Sequence, residues 1–236
     1  MKKRWEFVFI YLVVGFCLIL GAVGGSRLIT TISENAPIDN RTCIIIDAGH
    51  GGVDGGATSC TGILESNMNL EIALKMEDLC HLLGFKTKMI RKTDMSVYTS
   101  GNSIAAKKVS DLRQRVKIVN ETPNAVLISI HQNYYTESKY SGTQFFYAKT
   151  DGSKELAIYM QENVKLYLAN DNTRQPKIAD GIYLMQNINC SAILVECGFI
   201  SNPEEEAKLR DKIYQNKLCS VIVATLSNHL DHTEIA

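Results

Sequence analysis

From residue 43 onward, short apolar runs alternate with stretches whose apolar positions recur at helical spacing. Strand-like runs appear at Cys43 to Ile46, Phe85 to Ile90, Val126 to Ile130, Gln144 to Tyr147 and Ile193 to Val195. Between the first two, Met68, Ile72, Met76, Leu79 and Leu83 fall on one helical face, and Gly84 is placed to end that helix. Leu112, Val116 and Val119 repeat the spacing before Pro123. Leu156, Met160, Val164 and Leu168 repeat it again behind Ser153, a candidate cap. Asn202, Pro203, Glu204 and Glu205 supply a cap, a first-turn proline and acidic residues, the expected opening of a further helix. The alternation predicts a single-domain α/β fold over residues 43–236, a largely parallel or mixed central sheet flanked by helices.

The pattern before residue 43 is different. Phe7 to Gly25 is an uncharged apolar run that as a helix would extend roughly 28 Å, close to the thickness of a bilayer's hydrocarbon core. Lys2, Lys3 and Arg4 precede it and should stay cytoplasmic, which places the rest of the chain across the membrane. Residues 1–25 thus read as an N-terminal transmembrane segment, an uncleaved anchor in preference to a signal peptide because the apolar run is long and Ala22-Val23-Gly24 is a loose cleavage site. Residues 26–42 contain Pro37, show neither periodicity and read as a linker.

Composition narrows the function. The chain has 236 residues, 45% of them hydrophobic, enough for a sizeable core, and its formal net charge of zero argues against a nucleic-acid binder. Seven cysteines in an exported chain suggest a disulfide framework, but their settings disagree. Cys17 lies in the apolar N-terminal run, Cys43 opens a strand, Cys80 and Cys219 sit in helical patterns, and Cys197 follows a strand-like run. Such positions suit thiols acting as small buried hydrophobes.

In α/β folds ligands bind beyond the carboxyl ends of strands. The residues there are Asp47 to Gly52, His131 with Asn133, and Glu196. Two of the five histidines, His50 and His131, lie just past apolar strands, and Glu65 stands at the front of the first helix. Each has an ordinary reading alone: a turn residue, or a carboxylate complementing the helix dipole. Their coincidence at one sheet end points instead to a two-histidine, one-carboxylate zinc site with a fourth position left for water. His81, His229 and His232 lie elsewhere and read as surface residues. Glu196 closes an otherwise apolar strand and needs a partner or a purpose; it is either a general base or one half of an ion pair with Arg115. A competing chemistry would use Cys197 as nucleophile with a histidine base, although Cys197 should point to the face opposite Glu196. A non-catalytic binding module that keeps the fold is the other alternative.

With these residues in view, the sequence resembles the zinc-dependent N-acetylmuramoyl-L-alanine amidases (Amidase_3). The resemblance rests on IIIDAGHGGVDGGA at Ile44 to Ala57, and on Glu65 opening a helix with Asn69-Leu70 and Ile72-Ala73. It continues through Arg91 with Asp94, DLRQRVKIVN with Leu112, Arg115 and Asn120, SIHQN at Ser129 to Asn133, and VECGFISNPEE at Val195 to Glu205. DLRQRVKIVN, GIYLMQN and the short chain behind an apolar segment look most like the spore-cortex members of the family, which take part in making muramic-δ-lactam for germination.

The resemblance implies one Zn2+ per chain held by His50, Glu65 and His131, and Glu196 as catalytic carboxylate. It implies Asn133 and Arg115 in substrate-binding or supporting roles, and hydrolysis of the amide between N-acetylmuramic acid and L-alanine in peptidoglycan. It also implies a muramic acid deacetylase acting in the same pathway and a location facing the forespore cortex. Ala48 stands where the family usually has proline, and Tyr134 where a small residue is common. Residues 132–141 leave little room for a site-plugging helix, so control falls to timing of expression or to an accessory activating protein. Ser96 to Ser110 is long and irregular enough for a substrate or partner loop.

Overall fold

A computed structural model describes residues 41–169 and 171–233, which belong to one compact unit. The anchor assigned to residues 1–25, Cys17 and nearly all of the linker lie outside the described residues. Among the described residues no helix is long and apolar enough to cross a membrane.

Six strands form one mixed sheet: β1 (Cys43–Ala48), β2 (Lys86–Met89), β3 (Ala125–Asn133), β4 (Gln144–Tyr147), β5 (Lys177–Ile178) and β6 (Ser191–Phe199). Their spatial order is β2-β1-β3-β6-β4-β5. The first four in that order are parallel, β4 runs antiparallel to β6, and β5 is parallel to β4. Among the described residues six helices accompany them: α1 (Glu65–Leu82), α2 (Ile104–Asn120), α3 (Ser153–Tyr167), α4 (Tyr183–Gln186), α5 (Pro203–Arg210) and α6 (Lys212–Thr233).

The two-residue period of the strands divides the core. Ile44, Ile46, Ile128, Ile130, Ile193 and Val195 face α1, α3 and α6 and pack with Met68, Ile72, Met76, Leu156, Met160 and Ile222. Ile45, Leu127 and Leu194 face the other way, toward Val119 of α2 and Leu184 and Met185 of α4. Full burial of each of these isoleucines contributes ~1.5–3 kcal/mol, so the central strands are where the domain's stability concentrates.

Several expectations change. β3 and β6 run past their apolar stretches, so His131, Asn133 and Glu196 are strand residues. The face assigned to α2 is turned: Leu112 is 36% exposed while Arg115 is 2% exposed, because a buried acidic partner draws the arginine inward. Leu83 is likewise exposed, lying past the end of α1, and Gly84 follows with φ +80, the left-handed conformation that ends a helix. Ser153 does not cap α3; its hydroxyl accepts from the Ala192 amide and ties that helix to β6. Asn202 does cap α5, accepting from the Glu204 and Glu205 amides ahead of Pro203. Only the first part of Ser96 to Ser110 is loop. From Ile104 it is helix, and the Ser110 hydroxyl accepts from the Thr99 and Ser100 amides, strapping the loop to α2. Between β3 and β4, residues 134–143 contain no helix.

Candidate metal centre

At the carboxyl end of β1 the chain leaves the sheet through Asp47, which is buried against α2. Arg115 makes an ion pair with Asp47, donates to the Ala48 carbonyl at 3.1 Å, and donates to the His50 carbonyl at 2.7 Å. The Ser129 hydroxyl donates to the other Asp47 oxygen at 2.6 Å. Burial alone would raise the Asp47 carboxyl, but Arg115 and Ser129 outweigh it and hold the group below its ordinary value. Arg91 completes the clamp, donating to the carbonyls of Ala48, Gly49 and Ser66 at 2.8, 3.0 and 2.8 Å. Two buried guanidinium groups thus fix three successive carbonyls of the turn, Ala48 to His50.

This anchorage holds His50 in a strained conformation. Its φ is +60, a left-handed backbone that costs a non-glycine residue ~1–2 kcal/mol. The turn is closed by reciprocal hydrogen bonds between Gly51 and Asp54 at 2.7 and 3.1 Å. Gly49 is required for a different reason: a Cβ there would sit 2.2 Å from Nε2 of His131, so only glycine lets the two strand ends approach.

Glu65 is the first residue of α1 and points back over the sheet end. Its Oε1 lies 3.0 Å from His131 Nδ1, and its Oε2 lies 3.3 Å from His50 Nε2. The two imidazoles meet edge to face, their centroids 5.0 Å apart. One ligand atom from each of His50, Glu65 and His131 lies within 4.8 Å of the others, so the structure brings together the three residues that sequence spacing singled out. Burial would raise the Glu65 carboxyl, yet hydrogen bonds from the two histidines hold it well below the usual carboxylate range. Burial would lower His50, but the hydrogen bonds and charge of Glu65 and Asp54 push it up to about 9. Metal binding through these histidines would be favoured as they lose their protons, so it would couple to pH.

A surrounding layer was not legible in sequence. Asp54 Oδ2 lies 3.0 Å from His50 Nδ1, which fixes the tautomer and leaves Nε2 facing Glu65; Lys108 of α2 holds the other Asp54 oxygen at 2.6 Å. The Asn69 amide nitrogen donates to Glu65 Oε1 and to the Gly49 carbonyl, while its oxygen accepts from Gln132. The spacing of Asp54, four residues after His50 in a glycine-rich turn, was the one available signal.

Glu196 of β6 is the register partner of His131 in β3, which places the carboxylate beside the histidine on the same sheet face. Its Oε2 is buried with no hydrogen-bond partner, and burial pushes the carboxyl up to about 7. The alternative of an ion pair with Arg115 is overturned, because Arg115 is paired with Asp47 and Asp111. The same burial removes Arg115 from contact with substrate and leaves it a supporting role. Asn133 lies two residues past His131 on the same strand face, its carbonyl accepting from the Ile200 amide. Cys197 points into the opposite, apolar side of the sheet, fully buried, its thiol pushed well above its ordinary value by burial; it cannot serve as nucleophile at this site.

Two imidazoles and one carboxylate form a donor set suited to a divalent metal such as zinc, with positions left open. The orphaned Glu196 oxygen beside it is a buried acceptor that an attacking water or an amine proton would satisfy. The residues present therefore fit a bound metal.

Residues 44–228 match the N-acetylmuramoyl-L-alanine amidase family, Amidase_3. The germination-specific N-acetylmuramoyl-L-alanine amidase of Bacillus subtilis is 39% identical over 181 residues, covering 76% of each chain. The CwlD amidase of Clostridioides difficile, solved in complex with the GerS lipoprotein, superposes with a TM-score of 0.77 at 36% identity over 81% of this chain and 99% of that one. An N-acetylmuramoyl-L-alanine amidase from Clostridium difficile 630 gives 0.71 at 31% identity over 82% and 98%. On the match over most of its length and on the likeness of its fold, this chain belongs to the Amidase_3 family and is an N-acetylmuramoyl-L-alanine amidase, an enzyme acting on peptidoglycan.

Proposed function

We propose that this chain is a zinc-dependent amidase that removes stem peptides from spore-cortex peptidoglycan as a step toward muramic-δ-lactam. The observation that carries the reading is the His50, Glu65, His131 cluster with the unpartnered Glu196 oxygen beside it. Zinc held by the three residues would act as Lewis acid on the amide carbonyl and lower the pKa of bound water. Glu196 takes the proton of the attacking water and returns it to the L-alanine nitrogen as the bond to the lactyl carbonyl breaks. Asp54 keeps the His50 Nε2 lone pair facing the metal position, and the Arg91 and Arg115 clamp prevents the His50 turn from relaxing out of it.

The cortex assignment is supported by the germination-specific relative in Bacillus subtilis. In this reading the catalytic unit lies outside the cytoplasm behind the apolar Phe7 to Gly25 segment, facing the forespore cortex. A separate muramic acid deacetylase would then prepare the exposed lactyl end for cyclisation. The complex of the CwlD amidase with the GerS lipoprotein supports an accessory partner for this chain as well. Mass spectrometry of cortex glycan treated with metal-loaded protein tests the reading. New lactyl ends should appear, vanish with a chelator and survive iodoacetamide; hydrolysis indifferent to chelation would overturn the zinc mechanism.

A further inference from the structure

The antiparallel pairing of β4 with β6 sets Gln144 directly opposite Glu196. Residues so paired share a sheet face with Cβ atoms about 4.5–5.5 Å apart, so the Gln144 side chain lies next to the catalytic carboxylate. Gln144 is itself engaged from both ends. Its amide nitrogen donates to the Gln175 carbonyl at 2.7 Å, and its oxygen accepts from Arg174 Nη1 at 3.0 Å.

Arg174 is the group this arrangement builds. Its Nε donates to the Ser141 carbonyl at 2.7 Å and its backbone amide is held by Asn172 at 3.0 Å. The guanidinium carbon lies 4.3 Å from the centroid of Phe199, the last residue of β6 and the register partner of Asn133. Two of the five guanidinium N–H groups are used, one on Nε and one on Nη1. Both on Nη2 and the second on Nη1 find no acceptor, and no carboxylate lies within ion-pair distance, among the described residues. The nearby Glu205 carboxylate is taken up by the Gly142 amide at 2.8 Å and by Lys208 at 3.9 Å. Partial burial pulls Arg174 below its ordinary value, against the opposing charge of Glu205. A planar cation stacked on an aromatic ring, oriented by two hydrogen bonds and carrying unused donors is built to take a carboxylate.

We propose that Arg174 is the binding site for a carboxylate of the leaving peptide, and so makes the enzyme selective for acidic stem peptides over amidated ones. This rests on the amidase reading above, which places the peptide beside Glu196. An extended peptide advances about 3.3–3.6 Å per residue, so a carboxylate within about two residues of the scissile amide reaches Arg174 from that position.

Calorimetric titration of the full-length, metal-loaded protein with L-alanine-headed stem peptide, against the same peptide with its carboxylates amidated, tests the site without needing turnover. A charge-assisted pair predicts a preference of about 10- to 100-fold for the acid. Arg174→Met should abolish that preference by lowering affinity for the acid far more than for the amide, and Arg174→Lys should keep part of it. Equal affinity of the unaltered protein for both peptides, or an undiminished preference in Arg174→Met, would overturn the proposal. The acid-to-amide comparison needs no variant, so instability of Arg174→Met cannot obscure the answer. If the preference holds while no lactyl ends form on glycan, the amidase mechanism fails and the peptide site stands.

Discussion

Glu196 sets two requirements against each other, because the burial that would ready it for the proposed role of base also makes its charge expensive. Its carboxyl sits at about 7, raised from 4.5 by loss of solvent. At about 1.4 kcal/mol per pH unit, the ionised form costs the metal-free protein about 3 kcal/mol. The sign follows from proton linkage. Between pH 4.5 and about 7 the folded chain holds a proton that the unfolded chain has released, so stability falls as pH rises through this window. Below it the cost is absent, and above it the cost is complete. Glu196→Gln keeps the shape and removes the charge.

In protein stripped of metal, urea unfolding of this variant and of the unaltered chain should give similar stabilities near pH 4. They should diverge to about 3 kcal/mol in favour of the variant by pH 8. Titrating groups away from the site cancel in the difference, while His50, Glu65 and His131, whose charges act on Glu196, set the edges of the window. Parallel stability curves across the whole range would refute the argument that Glu196 is held unpaired in a dehydrated floor. The same substitution should lower kcat by about 10²–10⁴-fold while metal content stays unchanged. Loss of metal would instead make Glu196 a ligand.

Two further outcomes follow from the layers around the ligands. Asp54→Asn weakens the acceptor that fixes His50 Nδ1 and should lower metal affinity by about 10- to 100-fold, read by competition with a chromophoric chelator, with little change in unfolding midpoint. Arg115→Met strands the buried Asp47 charge and should cost about 3–5 kcal/mol of stability at neutral pH by denaturant titration. That loss should shrink at low pH as Asp47 protonates.

Local pattern was enough for the framework. The strands at Cys43 and Val126 and the helix carrying Met68, Ile72 and Met76 are set by which neighbouring residues share a face, a property of the sequence within a few positions. The same logic put His50, Glu65 and His131 at one end of the sheet, because parallel strands joined by crossover helices all finish on one side. Periodicity failed at α2, where the inward position belongs to a charged residue. Arg115 is drawn inward by its ion pair with Asp47, and because that partner lies 68 residues away in sequence no local count of apolar residues can show it.

What the sequence determined by itself is the set of chemical groups and the edge of the sheet that presents them. Tertiary structure decided how each is held: that Asp54 and Lys108 stand behind His50, and that Gly49 clears space for His131. It also decided that Glu196 loses its water without gaining a partner, and that the antiparallel turn of β4 brings Gln144 and Arg174 to its side. The physical reason is the range of the forces involved. Hydrophobic period and backbone preference act over a few residues, whereas desolvation and charge pairing depend on which distant segments the fold makes neighbours.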